Sequence, residues 1–206
     1  RGGRTTGIDD MPNIRSVAVL GAGTMGAQIA AHVANAGVPA LLLDRDRDIA
    51  AAGLTHAKRL KPDPFFTSDV SSRITLGGFE HDLPSITDCD WVVEAIIEQL
   101  DAKQELLKRV EAHCRPDTII TSNTSGIPIS AIAEGRSPDF RRRWLGSHFF
   151  NPPRYLRLVE LIPTNDTDPD LVTVLSSFVG QQLGKGVVVA KDTPGFIANR
   201  IGLYGV

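Results

Sequence analysis

His148 and Glu160 stand at matching places in HFFNPPRYLRLVELIP, residues 148–163. One follows the start of an apolar run and the other sits inside a second run, with Pro152 and Pro153 breaking the chain between them. If the two runs lie side by side as extended segments, the imidazole and the carboxylate come level across the pair. Imidazole is the side chain best suited to take a proton near neutral pH. A carboxylate on its far nitrogen holds the tautomer and stabilises the imidazolium. Either residue alone is ordinary, since a histidine is more often a satisfied core residue and a glutamate a solvated one.

A second group of residues binds rather than reacts. GAGTMG, residues 21–26, is a G-x-G-x-x-G that directly follows an apolar run and opens a helical pattern. Gly21 suits a tight turn, Gly23 a close approach by a pyrophosphate, and Gly26 close helix–strand packing. With Thr24 and Met25 they form a phosphate cradle at a helix N-terminus. Asp44 ends the next apolar run, 18 residues (44 − 26) after Gly26. A carboxylate there accepts from ribose hydroxyls and repels a 2′-phosphate, which favours NAD over NADP. Arg45 and Arg47 can soften that preference.

These residues need a frame, and the pattern supplies one. Strands are expected at 16–20, 40–44, 91–96, 118–123, 144–150, 157–163 and 186–190. Helices are expected at 24–36, 46 to about 61, 99–113 and 168–183, with one more starting at Pro194; residues 62–88 read as turn-rich. The alternation predicts an α/β fold of Rossmann type, doubly wound, with a mostly parallel sheet and a few additional strands. Missing amides at Pro152 and Pro153 place that turn in a loop or at a sheet edge.

The bulk properties narrow the partners. The 206 residues are 42% hydrophobic and 22% charged, with 22 basic and 24 acidic side chains for a net charge of −2. Nothing here asks for nucleic acid or an anionic membrane. The two cysteines form no ligand cluster, and no metal site is expected. Residues 1–13 read as a disordered arm or cloning remnant with Met11 as a native start. They lack the apolar core of a signal peptide, and no run is long enough to span a bilayer. The expected location is the cytoplasm.

GAGTMG, VVEAIIE, SNTSG, HFFNPP and KDTPGFIANR occur in this order. Together they resemble the NAD-binding domain of the 3-hydroxyacyl-CoA dehydrogenase family, over about Ser16 to Val206. SGIPISAIAEGRSPDF and NPPRYLRLVELIP look most like a large bacterial type joined to an enoyl-CoA hydratase module. The resemblance implies NAD-dependent oxidation of (3S)-3-hydroxyacyl-CoA to 3-ketoacyl-CoA in fatty acid β-oxidation. It also implies domain limits of 14–193 for the NAD domain. Residues 194–206 would then begin a helix leading to a helical C-terminal domain, absent from this sequence, that completes the acyl-CoA site and makes a homodimer.

The same resemblance assigns roles to residues. His148 is the base, Glu160 its orienting acid, Ser125 a hydrogen-bond partner of the substrate's oxygens, and Asn199 a group that orients both His148 and substrate. Glu98, Lys103, Ser122, Asn123 and Asn151 are expected around the cofactor, with Lys103 meeting a ribose or phosphate. Lys58 and Arg59, with Lys61, are expected to meet CoA phosphates, although the stretch from Asp44 to Pro62 is shorter than the family's. Lys108 and Arg109 read as a solvated face. Two alternatives remain at this point: another hydroxyacid dehydrogenase of the same cofactor fold, and a non-catalytic NAD-binding module.

Overall fold

A computed structural model describes residues 13–197 and 199–200. Its eight strands are β1 (Val17–Leu20), β2 (Ala40–Asp44), β3 (Ile74–Gly78), β4 (Trp91–Glu94), β5 (Ile119–Ser122), β6 (Trp144–Phe149), β7 (Leu158–Pro163) and β8 (Gly186–Val189). The helices are α1 (Thr24–Asn35), α2 (Arg47–Ala57), α3 (Leu100–Glu111), α4 (Ile129–Ile132), α5 (Pro138–Arg142) and α6 (Pro169–Gln181). One sheet holds all eight strands in the order β3-β2-β1-β4-β5-β6-β7-β8. Every pairing is parallel except β6 with β7.

The central strands of the sheet are buried on both faces because they send apolar residues to both sides, whereas the edge strand β8 is largely exposed. Val17 and Val19 join a cluster with Ile29 and Val33 of α1, Leu54 of α2 and Leu175 of α6. Ala18 and Leu20 face the other way, among Leu107 of α3, Ile132 of α4 and Phe140 of α5. Parallel strands covered on both faces read as continuous apolar runs, as these do. The strand order reverses direction between β1 and β4, and the crevice beyond the strand C-termini at that point is where open α/β sheets bind ligands.

Several elements depart from the expectation, among them the short helices α4 and α5, where no helix was expected. β3 lies in the stretch read as turn-rich. Its sequence, ITLGG, has an exposed Thr75 and two glycines, and it is an edge strand paired only with β2. Edge position removes the need for a continuous apolar run, so the signal is weak. α2 ends at Ala57, not near 61: Arg59 and Leu60 close tighter turns onto His56 and Ala57. Pro62 disfavours helical backbone at Lys61, which bars the helix from reaching residue 61. At the far end, residues 194–197 form turns, with Phe196 at φ 46°, and helix is seen at 199–200. The rest of the helix expected from Pro194 falls outside the described residues, as do residues 1–12 of the N-terminal arm.

Candidate active site

Local chain geometry builds the binding half first. Gly21 has φ +107°, and a Cβ there would lie 2.5 Å from the Ala95 carbonyl oxygen. A Cβ on Gly26 would lie 1.8 Å from the Gly21 carbonyl oxygen, so only glycine lets α1 close on the β1 turn. Gly23 differs: a Cβ there would meet no protein atom within 4 Å. Its bare backbone faces open space at the N-terminus of α1, the space a diphosphate needs. Asp44 is pinned by its own neighbours, with Oδ2 accepting from the Ala22 amide at 2.6 Å and Oδ1 from the Arg45 amide at 2.7 Å. It keeps lone pairs for ribose hydroxyls, because each carboxylate oxygen accepts more than one bond. A cleft of about 910 Å³ runs from Asp44 and Phe79 past Gly23 and Glu98 to Asn123 and Ser125. These residues fit a dinucleotide laid across the switch point.

The His148–Glu160 pair stands beside the Ser125 end of that cleft. The antiparallel register of β6 and β7 sets His148 directly opposite Glu160. His148 Nδ1 lies 2.8 Å from Glu160 Oε2, and both side chains are buried, at 5% and 1% exposure. The carboxylate fixes the proton on Nδ1, which leaves Nε2 as the acceptor. Ser125 Oγ is 3.3 Å from that Nε2. The other carboxylate oxygen, Oε1, accepts from the Ile197 amide at 3.0 Å. Phe150 and Phe196 crowd the imidazole, with ring centroids at 4.4 and 5.7 Å. Phe196 adopts a left-handed backbone that a bulky residue rarely takes, and the turn it makes brings the Ile197 amide to Glu160. Asn199 Nδ2 donates to the Ser125 carbonyl at 3.1 Å, so it reaches the site through Ser125.

Glu98 holds the loop that carries Ser125. Its Oε1 accepts from the Thr124 hydroxyl and from the amides of Ser125 (2.9 Å) and Gly126 (3.2 Å). Partial burial works against its ionisation. The Thr124 hydroxyl, the Lys103 ammonium and the Ser125 amide outweigh that and hold the carboxyl below its usual range. Asn123 also lines the cleft and accepts from the Phe149 amide at 2.8 Å, tying β5 to β6. Asn151 is exposed and accepts from Gln28 of α1 at 3.2 Å.

Several expected positions come out differently. Lys103 is 1% exposed and points inward, 2.7 Å from Glu94 Oε1 and 3.3 Å from Glu98 Oε2, and does not itself line the cleft. Two neighbouring carboxylates outbid solvent for its ammonium. Ser122 is fully buried, with its hydroxyl on Glu94 at 2.5 Å, and does not line the cleft. Arg109, read as solvated, lines the cleft and donates to the Phe79 carbonyl at 2.7 Å; Lys108 is exposed. Lys58 and Arg59 are exposed at the C-terminal end of α2 and do not line the cleft. An 11-residue helix leading away from the Asp44 end carries them roughly 16 Å from it along the helix axis. Glu94 was not anticipated as a site residue. A carboxylate inside the apolar run WVVEAI was the available signal, because such a charge needs buried partners.

Fold and cleft define a Rossmann-type dinucleotide-binding domain with a buried His–Glu pair at one end of the cleft. The family model described as "3-hydroxyacyl-CoA dehydrogenase, NAD binding domain" matches residues 16–193. The chain belongs to this family, and its cofactor is NAD. It is 54% identical over 200 residues to a Deinococcus radiodurans protein named "Probable 3-hydroxyacyl-CoA dehydrogenase", a match covering 94% of this chain and 58% of that one. A Bacillus subtilis protein of the same name is 45% identical over 215 residues, covering 94% of this chain and 27% of its own length. The crystal structure of (S)-3-hydroxybutyryl-CoA dehydrogenase PaaH1 from Ralstonia eutropha superposes with a TM-score of 0.79 at 31% identity, over 92% of this chain and 68% of that one. The chain thus spans between about a quarter and three fifths of the two curated relatives.

Proposed function

We propose that this chain is the NAD-binding and proton-transfer domain of a (3S)-3-hydroxyacyl-CoA dehydrogenase that interconverts 3-hydroxyacyl-CoA and 3-ketoacyl-CoA in fatty acid β-oxidation. One observation carries the reading. The buried His148–Glu160 pair presents Nε2 beside Ser125, and Ser125 lines the cleft that fits the dinucleotide. NAD, when bound, supplies the hydride acceptor. His148 Nε2 takes the proton from the substrate's C3 hydroxyl as the C3 hydride leaves, so that carbon becomes a ketone. Glu160 keeps the second ring proton in place and stabilises the imidazolium produced. Ser125 Oγ donates to the same substrate oxygen or to the thioester carbonyl, which places the reacting carbon. Asn199 steadies Ser125 through its carbonyl.

The alternative of a dehydrogenase with a lysine acid–base finds no support in the cleft: among the described residues that line it, none is a lysine. The substrate class extends to acyl-CoA thioesters by family membership. Homodimerisation and completion of the acyl site through a following helical domain are part of this proposal. So are a reducing, cytoplasmic location, which suits the unpaired thiols Cys89 and Cys114, and contact of Lys58, Arg59 and Lys61 with CoA phosphates outside the dinucleotide cleft. Among the described residues, no helix is long and apolar enough to cross a membrane, and no group of three or more metal-ligating side chains is present. The test is full-length protein given acetoacetyl-CoA and NADH. Falling absorbance at 340 nm is expected. NADH binding without turnover would instead favour a non-catalytic module.

A further inference from the structure

Beneath the reactive site lies a buried carboxylate that the proposed chemistry does not use. Glu94 ends β4 with no exposed surface. Its Oε1 accepts from Lys103 Nζ and from the Ile96 amide, both at 2.7 Å, and its Oε2 accepts from Ser122 Oγ at 2.5 Å. Ser122 Oγ in turn accepts from the Thr124 amide at 3.1 Å. The Thr124 hydroxyl donates to Glu98 Oε1, and Glu98 Oε2 returns to Lys103 at 3.3 Å. The bonds therefore close a circuit through Glu94, Ser122, Thr124, Glu98 and Lys103. It ties the C-terminal ends of β4 and β5 to the first turns of α3. The loop that leaves this circuit is 124–126, and Ser125 on it stands 3.3 Å from His148 Nε2.

We propose that Glu94 is a positioning residue for the dehydrogenation: acting through Ser122 and Lys103, it sets the backbone of residues 124–126 and so the approach of Ser125 Oγ to His148 Nε2. This rests on the roles given above to Ser125 and His148. Two buried charges are a poor device for stability, because well-packed apolar residues usually serve as well or better. They are a good device for geometry, because each oxygen of Glu94 has a fixed set of donors and no slack. Reactive groups tolerate little misplacement; a displacement of about 1 Å can cost on the order of a hundredfold in rate. Glu94→Gln keeps the shape, but its amide NH2 facing Ser122 turns that hydroxyl from donor to acceptor, and the charge opposite Lys103 is lost.

A double-mutant cycle with Ser125→Ala in the full-length protein, assayed with acetoacetyl-CoA and NADH, separates positioning from simple support of the fold. In the Ser125 background, Glu94→Gln is expected to lower kcat on the order of tenfold or more, with NAD affinity changing much less. In the Ser125→Ala background the same substitution is expected to change kcat by less than about threefold, because residues acting through one another are not additive. Equal losses in both backgrounds, or a folded Glu94→Gln with unchanged kcat, overturn the proposal. If Glu94→Gln does not fold, Ser122→Ala opens the same circuit at a neutral atom, and the same two outcomes decide. A wild-type protein that never turns over acetoacetyl-CoA overturns the functional reading and this one with it. Turnover with an additive cycle overturns this one alone.

Discussion

The sharpest test of the proton-transfer pair is Glu160→Gln, because the surroundings dictate which way the new amide must face. Glu160 Oε1 accepts from the Ile197 amide at 3.0 Å, and Oε2 faces His148 Nδ1 at 2.8 Å. In glutamine only one of these two atoms is an oxygen. The Ile197 N–H can only donate, so the amide oxygen is held at the Oε1 position and the NH2 turns toward His148. Nδ1 must then accept, the ring proton moves to Nε2, and the nitrogen that should take the substrate's proton no longer has a lone pair to offer. The negative charge that stabilises the imidazolium is lost as well. Hydrogen bonds to charged groups contribute about 1.5–3 kcal/mol, and the wrong tautomer adds to that. A loss of about 3 kcal/mol is a fall in kcat on the order of a hundredfold. The assay is the rise at 340 nm with (3S)-3-hydroxybutyryl-CoA at saturating NAD, the direction in which His148 takes the proton, with circular dichroism to establish that both proteins are folded. A folded Glu160→Gln protein with kcat within about threefold of wild type would falsify the orientation argument, since that is under 1 kcal/mol.

Further predictions concern binding and stability. Gly23→Ala and Gly26→Ala should behave oppositely, because a Cβ at 23 meets nothing within 4 Å whereas one at 26 would lie 1.8 Å from the Gly21 carbonyl oxygen. The first should keep its melting temperature yet bind NAD at least about tenfold more weakly, roughly the loss of one good contact; the second should lose thermal stability, and calorimetry and a melting curve read both. Asp44→Ala should weaken NAD and narrow the preference over NADP, as titration with each dinucleotide will show; an undiminished preference would remove Asp44 from ribose recognition. His32 supplies a pH effect. Burial chiefly, with the charge of Lys185 and then Arg154, and against the pull of the Leu183 carbonyl, lowers its pKa from 6.5 to about 4. The unfolded chain then holds a proton that the folded one refuses, so stability is fully present above about pH 6.5 and drains away as pH falls toward 4. A fall from 6.5 to about 4 corresponds to about 3 kcal/mol. Urea denaturation of wild type and His32→Gln at pH 7.5 and pH 5 should show the larger drop in wild type, and parallel drops would contradict this assignment.

Much of this protein was legible from its sequence. Strands buried on both faces leave unbroken apolar runs, so β1, β2 and β4 through β7 were evident within a residue or two; β8, an exposed edge strand, showed in its Val-rich run, and G-x-G-x-x-G followed by Asp44 marks the dinucleotide cleft by local chemistry alone. His148 and Glu160 could be paired in advance because two strands joined by a turn have only a small choice of register. Tertiary structure alone decided the rest. β3 owes its strand conformation to β2 beside it, not to its own Ile-Thr-Leu-Gly-Gly. Residue types cannot say whether a lysine on an amphipathic helix reaches out to a phosphate or in to a buried acid; Lys103 turns inward because the C-terminal end of β4 and the loop after it bring Glu94 and Glu98 within reach of its ammonium. Arg109 likewise reaches the cleft only because the Phe79 carbonyl stands across from α3. Charged side chains are long and flexible, and their destinations depend on which partners the fold delivers, whereas apolar periodicity and glycine geometry are written residue by residue.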